Sequence, residues 1–106
     1  NISIKREKLS DFSSEQLIGS NRKQARAYKL TLRNNKAYPV TTVVYDQVPV
    51  TTSKDINVEV LEISGAKLDA DTGELKWVVD LNPNETTDFI VKYSVKYPKD
   101  KRVILE

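Results

Sequence analysis

The sequence contains no cysteine and no histidine. Without cysteine the chain can form no disulfide, no thiol nucleophile and no thiolate metal site. Without histidine it lacks the most common general base and the most common metal ligand. Ser-His-Asp, Cys-His and zinc chemistry are therefore excluded. We predict a domain that is not an enzyme and has no catalytic residues, no metal ion and no cofactor.

Long apolar runs are also missing, and none approaches the length of a membrane-spanning helix. A chain of 106 residues that is 39% hydrophobic and 30% charged is typical of one globular domain. We expect residues 1–106 to form a single β-sandwich domain. Because the chain begins without an initiator Met or a signal peptide, we expect that domain to be excised from a longer protein.

Positive and negative charges nearly balance, since the net charge is only +2. Basic residues nevertheless concentrate between residues 22 and 36, where a solvated strand surface and a basic docking face are both possible. Few aromatic residues lie among them, so we predict no nucleic-acid partner and favour an acidic protein surface or a polysaccharide. The residues of this basic stretch are Arg22, Lys23, Arg26, Lys29, Arg33 and Lys36, of which Lys29 and Arg33 are predicted to point outward.

Alternation of apolar and polar residues is the dominant pattern. It runs through residues 28–33, 56–60, 75–81 and 89–97. Because successive side chains of a strand point to opposite faces, each run has one face to bury. The pattern predicts an all-β fold, an immunoglobulin-like antiparallel β-sandwich of six to seven strands. The predicted core is Leu30, Leu32, Val58, Trp77, Val79, Phe89, Val91, Tyr93 and Val95.

Less regular segments carry further predictions. Residues 2–9 are a first strand with Ile2 and Ile4 pointing inward, and residues 40–46 are a strand covered on both faces. Residues 13–18 have capping-box spacing before Gly19, which predicts a helical turn. A last segment from Val103 to Leu105 is predicted to pair weakly.

Turn residues separate these strands. Asn34-Asn35 ends one strand, Asp69 to Gly73 forms a hairpin turn, Asn82-Pro83-Asn84 forms a corner, and Pro98 stops the last long strand. Asp71-Thr72-Gly73 matches the aspartic-protease triplet, but its polar flanks favour the hairpin turn over a buried catalytic loop. Asp69 and Asp71 leave open a weak surface cation site.

The connection after residue 46 keeps Val48, Pro49 and Val50 together, although connecting loops are usually polar. Two interpretations remain open: the valines plug one end of the core, or the loop, with Lys54 nearby, is presented to a partner. Tyr38 and Tyr45 are the candidate exposed aromatic residues.

Several segments together resemble a known family. They are Asp46-Gln47-Val48-Pro49-Val50, Lys54-Asp55-Ile56-Asn57-Val58, Thr72-Gly73-Glu74-Leu75-Lys76-Trp77, Leu81-Asn82-Pro83-Asn84-Glu85-Thr86 and Tyr93-Ser94-Val95-Lys96-Tyr97-Pro98-Lys99. Their order resembles the C-terminal domain of mucoidy-inhibitor-like bacterial proteins, a domain family of unknown function, with Thr51 and Asn84 departing from its pattern. The resemblance implies a periplasmic or cell-envelope location, and no reaction.

Two functions from different classes follow as hypotheses. The first is a non-enzymatic structural or protein-interaction module of a bacterial envelope protein, whose partner is the adjoining domain of the same chain or another envelope protein. The second is a carbohydrate-binding domain for an exopolysaccharide or glycan.

Overall fold

A computed structural model describes residues 1–101 and 103. They form eight strands and one short 3-10 helix, Ser10–Phe12. In chain order the strands are β1 (Ile2–Lys8), β2 (Ser14–Ile18), β3 (Asn21–Asn34), β4 (Val40–Gln47), β5 (Asn57–Glu62), β6 (Lys67–Leu68), β7 (Glu74–Leu81) and β8 (Thr86–Pro98). No helix in this part of the chain has the length and apolar character needed to cross a membrane.

Two antiparallel sheets form a sandwich, which confirms the predicted all-β class, although the described residues form eight strands where six to seven were predicted. The first sheet has five strands in the order β1-β3-β8-β5, with β2 also paired to β3. The second has three strands in the order β4-β7-β6. The long central strands β3 and β8 pair along 13 positions, from Asn21 opposite Pro98 to Arg33 opposite Thr86. The domain is accordingly elongated, 55 × 28 × 18 Å.

The core lies between the sheets and follows the predicted alternation. In β7 every second residue is buried, from Leu75 to Leu81. Seven of the nine predicted core residues are buried, whereas Val58 and Phe89 are half-buried against the core. Val58 lies in β5, an edge strand that pairs with a neighbouring strand on one side only. Phe89 stacks on Trp77, with ring centroids 4.9 Å apart.

The predicted helical turn at residues 13–18 is wrong. Ser14–Ile18 is strand β2, paired with the first residues of β3 from Asn21 to Ala25. Gly19, with φ +60°, lies in the two-residue turn between these strands, as the first central position of a tight hairpin turn allows. The prediction failed because residues 21–27 contain no large apolar side chain, so the first half of the partner strand lacks the alternation that marks a strand.

Two predictions for edge strands also need correction. Ile4 was expected inward but is 57% exposed, because β1 is an edge strand of the larger sheet. β4 was expected to be covered on both faces, but Val43 and Tyr45 are exposed and only Val44 is buried. Of the predicted last segment, Val103 packs partly against the core, while residues 104 and 105 lie outside the described residues.

The predicted turns are present, and two need particular residues. The corner at residues 82–84 places Asn84 at φ 62°, which asparagine tolerates. Gly73, with φ +79°, ends the hairpin turn, and a Cβ atom there would lie 2.1 Å from the carbonyl oxygen of Val48. The Val48 N–H in turn donates to the Gly73 carbonyl at 2.9 Å. Glycine thus allows the loop after β4 to pack directly against the hairpin.

Asn34 is used differently from its neighbour Asn35. Its side chain is fully buried, and its Nδ2 donates to the carbonyls of Tyr38, Leu81 and Asn82 at 2.9–3.2 Å. Its Oδ1 accepts from the Lys36 N–H at 2.9 Å. One amide therefore joins the end of β3 to the entry of β4 and the end of β7, which links the two sheets.

Candidate functional site

An apolar groove opens between the sheets where β5 faces β6 and the hairpin turn. It encloses about 310 Å³. The five-stranded sheet supplies Val58 and Val60, and Leu68 of β6 lies on the opposite wall. The loop after β4 supplies Pro49 and Val50. The full apolar lining is Val48, Pro49, Val50, Ile56, Val58, Val60, Leu68, Ala70 and Gly73.

The residues of the predicted interaction loop differ in how far they are buried. Val48 is 2% exposed and packs in the core, at the inner end of the groove. Val50 is 51% exposed and lines the groove together with half-buried Pro49. Lys54 is exposed in a turn and does not line the groove. Burial of Val48 follows from its contact with Gly73, which the sequence pattern does not reveal.

The edge of β5 runs beside this groove. β5 pairs with β8 on one side, and among residues 1–101 no strand pairs with its other side. The register shifts between Val60 and Glu62, and this bulge, together with exposed Glu59, limits unwanted pairing at that end. The regular part, Asn57–Val60, leaves backbone donors and acceptors available beside apolar side chains.

A second cleft, of about 450 Å³, lies at the end of β4. Its lining is Tyr45, Asp46, Gln47, Asp69, Thr72 and Glu74. Tyr45 is 57% exposed, as predicted, while Asp46 accepts from Arg6 Nε at 3.1 Å. Gln47 Nε2 donates to the Thr72 carbonyl at 2.9 Å. Tyr38 is also exposed, but it precedes β4 and Tyr45 lies near the end of that strand, so the two tyrosines are not brought together.

In the hairpin turn, the Asp69 carboxylate accepts hydrogen bonds from the backbone of the turn. Asp69 Oδ1 accepts from the N–H groups of Asp71 and Thr72 at 3.0 and 3.3 Å. Asp71 is exposed, in a turn that is open to solvent. Within the described ranges, no three His, Cys, Asp or Glu side chains are grouped to hold a metal ion.

Two buried tyrosines, Tyr28 and Tyr93, lie beneath the exposed side chain of Arg6 in β1. The Arg6 guanidinium lies 4.0 Å from the centroid of the Tyr28 ring, and Tyr28 stacks near Tyr93 with centroids 6.3 Å apart. Burial raises the pKa of Tyr93 to about 12, the nearby Tyr28 adds to the rise, and Arg6 and Arg26 partly oppose it. Tyr93 is therefore neutral in the folded domain at neutral pH.

This raised pKa predicts an alkaline loss of stability. The folded state holds the Tyr93 proton more tightly than the unfolded state, whose pKa is near 10, so its contribution is complete below pH ~10 and is lost as pH rises toward ~12. We expect the urea midpoint of wild type to fall over that interval more steeply than the midpoint of Tyr93→Phe. Parallel profiles for the two proteins would contradict the assignment.

The fold and these surfaces define a small antiparallel β-sandwich domain with an open apolar groove between its sheets. The chain belongs to the family described as Domain of unknown function (DUF4139), whose model matches residues 1–99. Comparison with curated proteins and with solved structures finds no significant match.

Proposed function

We propose that this domain is a non-enzymatic protein-interaction module of a bacterial cell-envelope protein, and that it binds an extended polypeptide segment in the groove beside β5. The observation that carries the proposal is the combination of an apolar groove with the unpaired edge of Asn57–Val60. The envelope setting is supported by the motif resemblance to mucoidy-inhibitor-like proteins. The absence of histidine and cysteine supports a role without catalysis.

The proposed recognition is strand addition. An extended segment forms main-chain hydrogen bonds with the edge of β5, and its alternate side chains enter the groove. Apolar residues at every second position of the segment match a lining of valine, isoleucine and leucine. The adjoining domain of the same chain and another envelope protein are both sources of such a segment.

The test uses a labelled synthetic peptide with valine at alternate positions and serine between them. We expect it to bind the chain and to slow hydrogen exchange at the amides of Asn57–Val60. Val50→Lys places a charge in the groove at a residue already half-exposed, so it should weaken binding at least about tenfold without unfolding the domain. Val78→Lys is the matched control, since Val78 is 67% exposed on the outer face of the smaller sheet.

Equal weakening by Val50→Lys and Val78→Lys would contradict binding in the groove. So would peptide binding that leaves exchange in β5 unchanged. Detectable proteolysis or glycoside cleavage that Asp71→Asn abolishes would contradict the non-enzymatic role.

A carbohydrate-binding function is the second candidate, and the cleft at Tyr45 favours it. An exposed aromatic ring beside amide and carboxylate groups offers both a stacking surface and hydrogen-bond partners. In the same assay, a neutral glucan or polygalacturonate that binds wild type and Val50→Lys but not Tyr45→Ala would assign the domain to this class.

A further inference from the structure

The strand β5, which borders the groove, carries acidic side chains on its outward face. Strand register places Glu59 opposite Ser94 of β8, and after the bulge it places Glu62 opposite Lys92. Both glutamates are exposed on the outward face of the larger sheet, two β8 positions apart, which is about 7 Å along a strand. The whole of β5, Asn57–Glu62, contains no basic residue.

Lys92 does not neutralise Glu62, although the two residues are directly opposed. The Lys92 ammonium lies 4.2 Å from the centroid of the Phe12 ring. The 3-10 helix that carries Phe12 contacts β3, on the side of β8 that faces away from β5. The Glu62 Oε1 atom accepts from the Ser64 N–H at 3.1 Å, and the carboxylate forms no salt bridge with any described residue.

Glu59 is also without a salt bridge in the part of the chain that the structure describes. Its nearest lysines on β8 are Lys92 and Lys96, which flank Ser94 and are therefore diagonal neighbours, about 7–8 Å away across the strands. A strand added to the open edge of β5 would place a side chain directly opposite Glu59, at about 5 Å between Cβ atoms. The β8 lysines would be one strand further away, at roughly 10 Å. The two glutamates are therefore the nearest charged side chains of the sheet for an added strand.

The strand β8, which pairs with the other edge of β5, shows which side-chain pattern fits this strand. On the inner face, Val95 lies opposite Val58 and Tyr93 lies opposite Val60. The outward positions of β8 along β5 carry serine and lysine. A strand on the open edge meets the same two faces of β5, so the same alternation fits it, with apolar side chains toward the groove and basic side chains outward.

We propose that the groove and the edge of β5 select an extended segment of a partner polypeptide in which apolar residues alternate with lysine or arginine. This inference rests on the proposed strand addition and specifies the outward side chains of the added strand. The apolar residues enter the groove beside Val58 and Val60, and the basic residues lie outward against Glu59 and Glu62. Basic residues at alternate positions are about 7 Å apart, which matches the spacing of the two glutamates. Opposite charges on adjacent strands stabilise a sheet.

A second copy of this chain fits the edge less well. Two β5 strands paired edge to edge would bring four carboxylates and no basic side chain to one seam, and like charges on adjacent strands destabilise a sheet. An acidic segment meets the same repulsion. Because the whole chain has a net charge of +2, its overall field does not attract a basic segment, and the preference is local to β5.

The test compares three labelled peptides of equal length, with valine at alternate positions and serine, lysine or glutamate between the valines. We expect the lysine peptide to bind wild type at least about threefold more tightly than the serine peptide, and the glutamate peptide to bind at least about threefold more weakly. Both differences should shrink as the salt concentration rises. Bound lysine peptide should slow hydrogen exchange at the amides of Asn57–Val60.

Two double variants assign the preference to the edge. Glu59→Gln/Glu62→Gln removes both charges and keeps the side-chain shapes, so its affinities for the lysine and serine peptides should agree within about twofold. Asp80→Asn/Asp88→Asn changes the net charge equally at two exposed acids outside the groove lining and outside β5. This control should keep the wild-type preference. Both variants replace exposed side chains with neutral ones of similar shape, and the fluorescence of Trp77 checks that they are folded.

The proposal is overturned if the lysine and serine peptides bind wild type equally, or if both double variants lose the preference equally. In either case, binding of the serine peptide in the groove would still support the proposed function, so the two failures are distinguishable. A concentration-dependent dimer that protects the amides of Asn57–Val60 would assign the edge to a second copy and would also overturn the proposal. Tighter binding of the glutamate peptide than of the lysine peptide would reverse the inferred charge preference.

Discussion

Trp77→Ala should lower the free energy of unfolding by about 3–5 kcal/mol. The indole is 5% exposed and stacks on Phe89 with an interplanar angle of 12°. Its Nε1 also donates to the carbonyls of Ile63 and Ser64 at 3.1 and 3.2 Å. Removing the ring therefore leaves a large cavity and releases the loop before β6. Urea denaturation followed by circular dichroism measures the loss.

The destabilisation by Trp77→Ala should reach both sheets, because the loop at Ile63 and Ser64 is bound to each of them. Ser64 Oγ accepts from the Ile90 N–H at 2.7 Å, so the segment held by Trp77 of the smaller sheet is also bound to β8 of the larger one. Val78→Ala is the matched control, because its side chain is 67% exposed one residue away, and it should change stability by less than about 0.5 kcal/mol. Similar losses for the two variants would show that the indole is not a core residue.

Asn34→Ala should lower the free energy of unfolding by about 2–3 kcal/mol. The substitution removes four side-chain hydrogen bonds and leaves buried carbonyls at the junction of the sheets with fewer partners. Amide exchange should accelerate around residues 36–40 and 81–85, because Asn34 joins those segments. Thermal unfolding and exchange measured on the same protein test both parts of the expectation.

Asn35→Ala is the natural control for this variant. Asn35 is the adjacent residue of the same type, but it is exposed and its hydrogen bonds lie at the surface: Oδ1 accepts from Arg33 Nε at 3.2 Å and Nδ2 donates to Ser3 Oγ. Asn35→Ala should lower the free energy of unfolding by less than about 0.5 kcal/mol. If Asn34→Ala is no more destabilising than Asn35→Ala, the buried amide does not hold the sheets together.

These two asparagines show where sequence-based prediction stops. Together they indicate a turn, and β3 does end at Asn34. Nothing in the local sequence distinguishes the exposed Asn35 from Asn34, because two of the carbonyls that Asn34 binds, those of Leu81 and Asn82, lie more than 40 positions away.

The candidate surfaces also combine features that the sequence predicts with features that depend on tertiary contacts. Tyr38 and Tyr45 were expected to be exposed, and both are. Tyr45 lies out of phase with Val44, the buried residue of β4, and Tyr38 precedes that strand. The burial of Val48 was not predictable, because it depends on Gly73, which lies 25 positions away and is brought beside Val48 by the pairing of β4 with β7. That Lys23 lies beside Lys96 was not predictable either, since only the pairing of β3 with β8 brings the two lysines together.

The sequence by itself determined the all-β class, most of the core and the turns, because an alternating period and turn residues act over a few positions of the chain. The tertiary structure alone decided that residues 14–18 form a strand, which edges stay unpaired, and which side chains form the groove. Those features depend on strand pairing and sheet packing between residues far apart in the chain, and such non-local contacts leave no local pattern in the sequence.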